Sequence, residues 1–258
     1  MSEERSRRES PRSAVRILQI LDTLSDDTEE WTLSSLGRAL NTPKSSLLVL
    51  LRALGEMGHI RQVAGAYKLD GAAFRLASRI LANRHFPEVA RPILREIAER
   101  TGETAVIGTL SEDGQSTVYV DKVESPSALR FSAKIGDRRP LHASASGHVI
   151  LAFGDPRLAT DYIKHAKIKP LTPTGIASKA ELKQAIDEAR KRGVAVTRDQ
   201  STAGVTGFGA PIYGESGDLI GSLVLAAPTS RIEVRTDELT ALAKATAATI
   251  SEVMGFEG

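Results

Sequence analysis

The stretch that decides the fold is LSSLGRALNTPKSSLLVLLRALGEM, residues 33–57. It contains two runs of leucines at helical spacing, which are separated by Asn41-Thr42-Pro43. The Thr-Pro pair is typical of a helix start, because the threonine hydroxyl can cap the helix and proline suits its first position. The stretch therefore predicts two helices joined by a short turn, with Thr32 as the cap of the first.

A further helix precedes this stretch, and a hairpin follows it. Apolar residues recur at helical spacing from Ala14 to Leu24. Residues 59–63 and 67–69 flank a small turn, which predicts two short strands. Three helices and a hairpin within about 60 residues are the layout of a winged helix-turn-helix, in which the third helix enters the DNA major groove.

The outward face of the third predicted helix supplies the candidate DNA contacts. Its first turn carries a lysine and two serines, where the helix N-terminus favours a phosphate. Leu48 and Val49 can read bases only through the methyl group of thymine, and Arg61 in the hairpin can reach a phosphate or the minor groove. A small helical domain with merely solvated charges is the alternative. The candidates are Thr42, Lys44, Ser45, Ser46, Leu48, Val49, Arg52 and Arg61.

Length and composition indicate a soluble protein of two domains. The chain has 258 residues, of which 41% are apolar and 26% charged, as is ordinary for globular domains. Its densest apolar runs fall far short of a membrane span, and no targeting segment is visible at the N-terminus. The absence of cysteine excludes disulfides and fits a reducing compartment, so we expect a cytoplasmic protein.

Breaks in the sequence pattern predict four segments. The first is a flexible basic arm, because its residues are charged and serine-rich without apolar periodicity. The DNA-binding domain follows, and after it comes an amphipathic linker helix. Pro87 and Pro92 interrupt the helical signal and predict the start of a second domain. The four segments are 1–12, 13–69, 70–86 and 87–258.

The second domain has strands before and after a group of helices. This order argues for an α+β fold rather than for alternating α/β units. Strands are predicted at 104–110, 116–123, 129–135, 194–197, 205–213 and 219–226, and helices at 143–153, 178–193 and 234–254, with a further helix between the first two.

The most unusual segment of this domain is IGDRRPLHASASGHVILA, residues 135–152. A turn of small residues leads directly into a helix, whose free backbone N–H groups can bind a carboxylate. The segment lacks the Gly-x-Ser-x-Gly pattern of a hydrolase, although His142 could serve Ser144 or Ser146 as a base. His142 and His148 are also wrongly spaced for a metal site. We therefore expect an anion-sensing pocket, with no catalysis and no metal.

Four segments together resemble the IclR family of bacterial regulators. They are SAVRIL (13–18), LGRALNTPKSSL (36–47), GDRRPLHASASG (136–147) and AAPTSR (226–231). The resemblance implies a GAF-like effector domain, a homodimer or homotetramer, and binding to a palindromic operator. It also makes Phe74, Ala77 and Ile80 of the linker helix candidates for a dimer interface.

The resemblance further implies a ligand-responsive regulator without enzymatic activity and without a cofactor. Repression of a catabolic operon is the expected role. The alternatives are an activator of the same family and a sensor whose helical domain binds protein rather than DNA.

The effector pocket is carried over from the family position by position. At four of its positions, members that sense small keto acids have an acidic residue, a cysteine and two serines, whereas this chain has Thr197, Gly207, Val224 and Ala226. We therefore expect the effector to be an organic acid that is larger and less polar than glyoxylate or pyruvate, such as an aromatic acid. The alternative is a pocket that is filled by its own side chains. The implied contacts are Ala128, Phe131, Arg139, the amides of Ala145 and Ser146, Thr197, Gly207, Val224 and Ala226.

Two further positions depart from the family pattern. His148 stands where a lysine usually follows the Ser-x-Ser-Gly run, and Leu48-Val49 stands where many members have His-Arg. The second departure means that the operator sequence of other members cannot be transferred to this chain.

Overall fold

A computed structural model describes residues 12–26, 30–82, 86–232 and 234–258. The predicted basic arm lies outside these ranges except for Arg12, which begins the first helix. The chain divides into two compact units, Met1–Asn83 and Arg84–Gly258. Within the described ranges, no helix has the length and apolar character needed to cross a membrane.

The first unit confirms the predicted three helices and hairpin. They are followed by the helix that the sequence analysis interprets as a linker. The elements are α1 (Arg12–Ser25), α2 (Leu33–Ala39), α3 (Lys44–Glu56), β1 (Ile60–Val63), β2 (Ala66–Leu69) and α4 (Gly71–Ala82).

Leucine and isoleucine side chains from α1, α2 and α3 form the core of this unit. Ile20, Leu36, Leu47 and Leu51 are almost completely buried in it. At the hairpin, the register pairs Val63 with Ala66 and leaves a loop of two residues. Both of these, Ala64 and Gly65, have positive φ, as the central residues of a type I′ turn must. Hairpins favour this turn type because its twist matches that of the strands.

Helices α2 and α3 are capped in different ways. Thr32 caps α2 as expected, since its hydroxyl accepts from the amide of Ser35. Thr42 does not cap α3: that helix begins at Lys44, with Pro43 at the cap position and no side-chain capping bond. The prediction was wrong because the Thr42 hydroxyl turns back and donates to the Leu40 carbonyl at 2.8 Å.

The second unit confirms the α+β prediction. Its strands form one antiparallel sheet in the order β5-β4-β3-β8-β7-β6. The elements are α5 (Arg91–Thr101), β3 (Thr104–Leu110), β4 (Ser116–Val123), β5 (Arg138–Pro140), α6 (Ala145–Phe153), α7 (Pro156–His165), α8 (Lys179–Arg192), β6 (Ala195–Arg198), β7 (Val205–Tyr213), β8 (Leu219–Pro228) and α9 (Thr236–Val253).

Helices cover both faces of this sheet. Alternate residues of the central strand β8 face opposite ways: Leu223 and Leu225 pack in the cluster with α5 and α9, whereas Val224 and Ala226 pack with Ala145 of α6. Helices α6, α7 and α8 share a separate apolar cluster. The strand is therefore buried on both sides, which explains its nearly continuous apolar sequence.

The strand predicted at 129–135 is absent, and these residues belong to a loop between β4 and β5. Phe131 and Ala133 pack inward, but Leu129 is 66% exposed and Ile135 is 57% exposed, so the alternation of a strand does not run through this segment. Side chains also take the carbonyls that a neighbouring strand would bind. The Thr104 hydroxyl donates to the Phe131 carbonyl at 2.7 Å, and the Lys122 ammonium donates to that of Ala133.

A buried ion pair fixes the segment 226–231 that carries part of the family resemblance. The Arg231 guanidinium donates two hydrogen bonds, of 2.9 and 2.6 Å, to the Glu103 carboxylate. Glu103 is 1% exposed, and Arg235 adds a second guanidinium at 3.6 Å. A bidentate pair of this kind is strongly directional, so it joins the segment after β8 to the residue before β3.

Candidate functional site

One face of α3 presents the predicted DNA contacts to solvent. Leu47, Leu51 and Leu54 are buried, and this orientation leaves the opposite side free. The exposed residues there include Val49, which is 65% exposed, whereas Leu48 is half-buried. The remaining predicted contacts of this helix, Lys44, Ser45, Ser46 and Arg52, are exposed as well.

The hairpin places two basic side chains next to each other. Arg61 and Lys68 are directly paired across β1 and β2, so both point to the same face of the hairpin. Arg61 also lies 4.0 Å from Asp70 at an exposed position, where an ion pair is weak. Sequence reasoning found Arg61 but missed Lys68, which the two-residue turn would have identified, because that turn length fixes the register.

The turn before α3 is held by two side chains that bind the same carbonyl. Thr42, a predicted DNA contact, is only 7% exposed and uses its hydroxyl within the turn. Arg16 of α1 donates from Nη1 to the Leu40 carbonyl at 3.2 Å. These two side chains therefore fix the carbonyl at the end of α2 and the angle at which α3 begins.

Most of the predicted effector contacts meet at the N-terminus of α6. Phe131, Ala145, Val224 and Ala226 share one apolar cluster. Gly207 lies beside them: a Cβ atom at this glycine would stand 3.2 Å from Ala145 Cβ and from Thr197 Oγ1, and 3.5 Å from Val224 Cγ1. We call this group the α6 cluster; its residues are Phe131, Ala145, Thr197, Gly207, Val224 and Ala226.

The first turn of α6 leaves two backbone amides available. Ser144 caps the helix by accepting from the Gly147 amide at 3.1 Å, and the His148 amide donates to the Ser144 carbonyl. The amides of Ala145 and Ser146 have no partner within the helix, because they belong to its first turn. A helix N-terminus with free amides can bind a carboxylate, and the α6 cluster lies next to it.

The Ser146 side chain is used inside the fold. Its hydroxyl lies 2.6 Å from Thr117 Oγ1 and 2.7 Å from Ser222 Oγ, and Ser222 donates to the Gly108 carbonyl at 3.2 Å. Ser146 is completely buried. Gly108 leaves room for this network, since a Cβ atom there would lie 2.3 Å from Ser146 Oγ. Only the amide of Ser146 therefore fits the predicted contact.

Besides Ser146, two predicted effector contacts lie outside the α6 cluster. Ala128 is exposed in the loop between β4 and β5. Arg139 is in β5, where its Nε is buried and has no partner among the described residues. This guanidinium faces Tyr119, whose pKa burial raises, while the positive charge of Arg139 opposes the rise. Tyr119 packs against Phe131, so Arg139 is separated from the α6 cluster by aromatic side chains.

The histidines of this region have structural partners. The two ring nitrogens of His142 lie 2.9 Å from the Tyr162 hydroxyl and 3.0 Å from the Lys169 carbonyl. Burial lowers the pKa of His148 to about 4, although its hydrogen bond to the His142 carbonyl opposes this shift. Because the hydroxyl of Ser146 contacts Thr117 and Ser222 instead, His142 and Ser146 do not form a nucleophile–base pair.

Comparison with known families accounts for nearly the whole chain. Residues 13–64 match the family model described as the IclR helix-turn-helix domain. Residues 78–252 match the model described as the bacterial transcriptional regulator IclR C-terminal domain.

Several characterised proteins are similar to this chain over most of their length. The transcriptional repressor IclR of Escherichia coli is 27% identical over 222 residues, covering 85% of this chain and 81% of the repressor. The regulator KdgR of the same organism is 29% identical over 251 residues, covering 96% and 94%. A solved structure of a transcriptional regulator from Rhodococcus sp. RHA1 superposes with a TM-score of 0.84 at 26% identity, covering 95% and 98%.

Proposed function

The chain belongs to the IclR family of bacterial transcriptional regulators, and we propose that a small organic acid bound at α6 controls how its α3 and hairpin bind operator DNA. The observation that carries the DNA part is the exposed first turn of α3. It combines free helix amides with Lys44, Ser45 and Ser46, all of which suit phosphate. Arg61 and Lys68 extend this basic surface into the hairpin.

The proposed operator is palindromic, because we propose a homo-oligomer that presents two copies of α3. Exposed apolar side chains support pairing: Phe74 of α4 is 59% exposed, and Leu76 is 47% exposed. Large apolar side chains that stay solvated on a helix favour burial against a partner. Ala77 is also exposed on α4, whereas the side chain of Ile80 lies outside the described residues. Sedimentation of Phe74→Asp should show a lighter species than that of the native chain.

Lys44→Ala tests the DNA contact. Binding to promoter fragments should weaken for all sequences, and the slope of log K against log salt should become shallower by about one unit, as expected for one lost phosphate contact. Lys191→Ala, on the exposed end of α8 in the other unit, is the matched control for a lost surface charge. If the affinity and the salt slope of Lys44→Ala were unchanged, Lys44 would not contact the DNA.

The effector that fits the α6 cluster is an acid with an apolar body. Its carboxylate would accept from the amides of Ala145 and Ser146. Val224 and Ala226 offer only apolar surface, and the absence of a side chain at Gly207 avoids a clash with the start of α6. Phe131 packs on these residues in the free chain, so we propose that an aromatic acid displaces the Phe131 ring and takes its place against them.

Thermal-shift titration with a panel of acids tests this assignment. Benzoate and other aromatic acids should raise the melting temperature, whereas glyoxylate and pyruvate should not. Ala226→Leu should abolish the aromatic response by filling the cluster. Stabilisation by the short keto acids alone would show that the pocket is not built for a larger ligand, and no response to any acid would favour a cluster filled by its own side chains.

We further propose that the protein represses its target operon in the absence of effector. The support is that similar proteins carry the names transcriptional repressor IclR and acetate operon repressor. A reporter fused to the promoter beside the gene should become more active when the gene is deleted. Lower reporter activity after deletion would identify an activator instead.

A further inference from the structure

A cavity lies at the edge of the sheet, outside the α6 cluster. It has a volume of about 380 Å³ and lies between β6, the last strand of the sheet, and α8. Thr174, Ile176, His148, Val194 and Gln200 also line it. We call it the edge cavity. Its size is within the range of small-molecule sites, and all its lining residues belong to the second unit.

Gln200 lines the edge cavity and carries an acceptor that the protein does not satisfy. Its Oε1 is buried and has no hydrogen-bond partner among the described residues. The backbone beside it is held firmly, because the Thr172 hydroxyl donates to the carbonyls of Asp199 and Gln200, and Thr174 donates to that of Asp199. A buried acceptor without a donor destabilises the folded chain, so a ligand N–H group here would remove an existing penalty.

The wall formed by α8 is acidic at the rim and apolar below. Glu181 and Glu188 face the cavity with a single guanidinium, Arg192. Arg192 lies 3.4 Å from Glu188, and Glu181 accepts from the Ala177 amide through one of its two oxygens. Ile176, Ala185, Ala189 and Val194 supply apolar surface. The rim therefore carries two carboxylates against one guanidinium, beside the neutral amide of Gln184.

We propose that the edge cavity binds a small molecule with an N–H donor, either an amide or an ammonium group, on an apolar body. The Gln200 side chain, whose Oε1 is enclosed in the free chain, would turn toward the cavity so that Oε1 and the second oxygen of Glu181 accept from the donor group, and the body would lie against Ile176 and Ala185. This chemistry is opposite to that of the α6 N-terminus, which favours an anion. The two sites are therefore selective for different ligands.

Helix α6 connects the two sites. Ala145 belongs to the α6 cluster, whereas His148, about one turn further along, lines the edge cavity. The hydrogen bond from the His148 ring to the His142 carbonyl keeps this turn in place. A molecule in the edge cavity would thus contact the same helix that offers its amides to the acid.

Three molecules of similar size test the proposal on the full chain: butyramide, butylammonium and butyrate. Saturation-transfer NMR should detect butyramide, butylammonium or both at millimolar concentration. Ala185→Phe, which fills the cavity, should abolish this signal, and Gln200→Leu should weaken binding at least tenfold. Ala226→Leu, which alters the α6 cluster, should leave the signal unchanged and should remove any signal from butyrate.

Gln200→Leu also has a readout that does not depend on a ligand. Because it replaces an unsatisfied buried acceptor, it should raise the melting temperature of the free chain, and this shift holds even if Ala185→Phe folds poorly. The proposal is overturned if neither nitrogen compound binds, if their binding is the same in Gln200→Leu, or if Gln200→Leu lowers the melting temperature.

Discussion

Helices α3 and α6 each begin with a turn of small or polar residues that leaves backbone N–H groups free for an anion. Their surroundings are opposite. The first three residues of α3, Lys44-Ser45-Ser46, are all exposed, whereas the first three of α6, Ala145-Ser146-Gly147, are all buried. The same type of helix start therefore lies on an open surface in one unit and in the interior of the other. We expect substitutions in the first turn of α3 to change DNA binding but not stability, and substitutions in the first turn of α6 to change both effector binding and stability.

The largest expected difference in unfolding free energy between the two helices is at their third residues, Ser46 in α3 and Gly147 in α6. A Cβ atom at Gly147 would lie 2.3 Å from the Leu141 carbonyl oxygen, and a backbone atom cannot move aside cheaply. Gly147→Ala should lower the free energy of unfolding by about 3 kcal/mol or more. Ser46→Ala is the matched change in α3 and should stay within about 0.5 kcal/mol. Urea denaturation measures both, and equal values would show that the α6 turn is no more constrained than the α3 turn.

The fourth position holds a buried residue in both helices, Leu47 in α3 and His148 in α6. The pKa of the His148 imidazole is near its ordinary value of 6.5 in the unfolded chain. In the folded chain it is about 4, because burial penalises the charged form. The unfolded chain thus binds more protons between these values, and stability that is present above pH 6.5 is lost as the pH falls toward 4. The loss should reach roughly 2–3 kcal/mol.

His148→Leu tests this assignment, since it gives α6 the residue type found in α3. The variant should lack the decline in unfolding free energy between pH 6.5 and 4, whatever its stability at neutral pH. His165→Leu, at an exposed position of α7, should keep the decline. A decline that persists in His148→Leu would mean that other groups cause it.

The contrast between the helices also explains what the sequence could and could not predict. The exposed face of α3 followed from leucine spacing alone, because burial on one side fixes what lies on the other. The strands at 104–110, 116–123 and 205–213 were predicted with the bounds that the structure has. Short, strongly patterned elements with clear turns leave little choice of register.

The α6 cluster could not be derived from spacing, because its residues come from separate strands and a loop. The family resemblance brought most of them together, but it could not show that the Ser146 hydroxyl is bound to Thr117 and Ser222. Nor could it show that the Thr42 hydroxyl bonds to Leu40 instead of capping α3. The Ser146 outcome is decided by tertiary packing, because Thr117 and Ser222 lie on distant strands. The Thr42 outcome is a local competition, in which the hydroxyl bonds a carbonyl two residues back instead of capping the helix.

The smallest expected difference in stability is at the second residue of each helix. It is also the most direct comparison, because both helices have a serine there, Ser45 in α3 and Ser146 in α6. Ser146→Ala should cost about 1 kcal/mol of unfolding free energy, since the hydroxyls of Thr117 and Ser222 lose a shared partner. Ser45→Ala should leave stability unchanged and weaken operator binding about threefold, through one lost hydrogen bond to phosphate. Denaturation and DNA titration of both variants measure the four values. If Ser146→Ala changed neither stability nor the response to acids, its hydroxyl network would not position the α6 amides, and the coupling that distinguishes α6 from α3 would have to arise from packing alone.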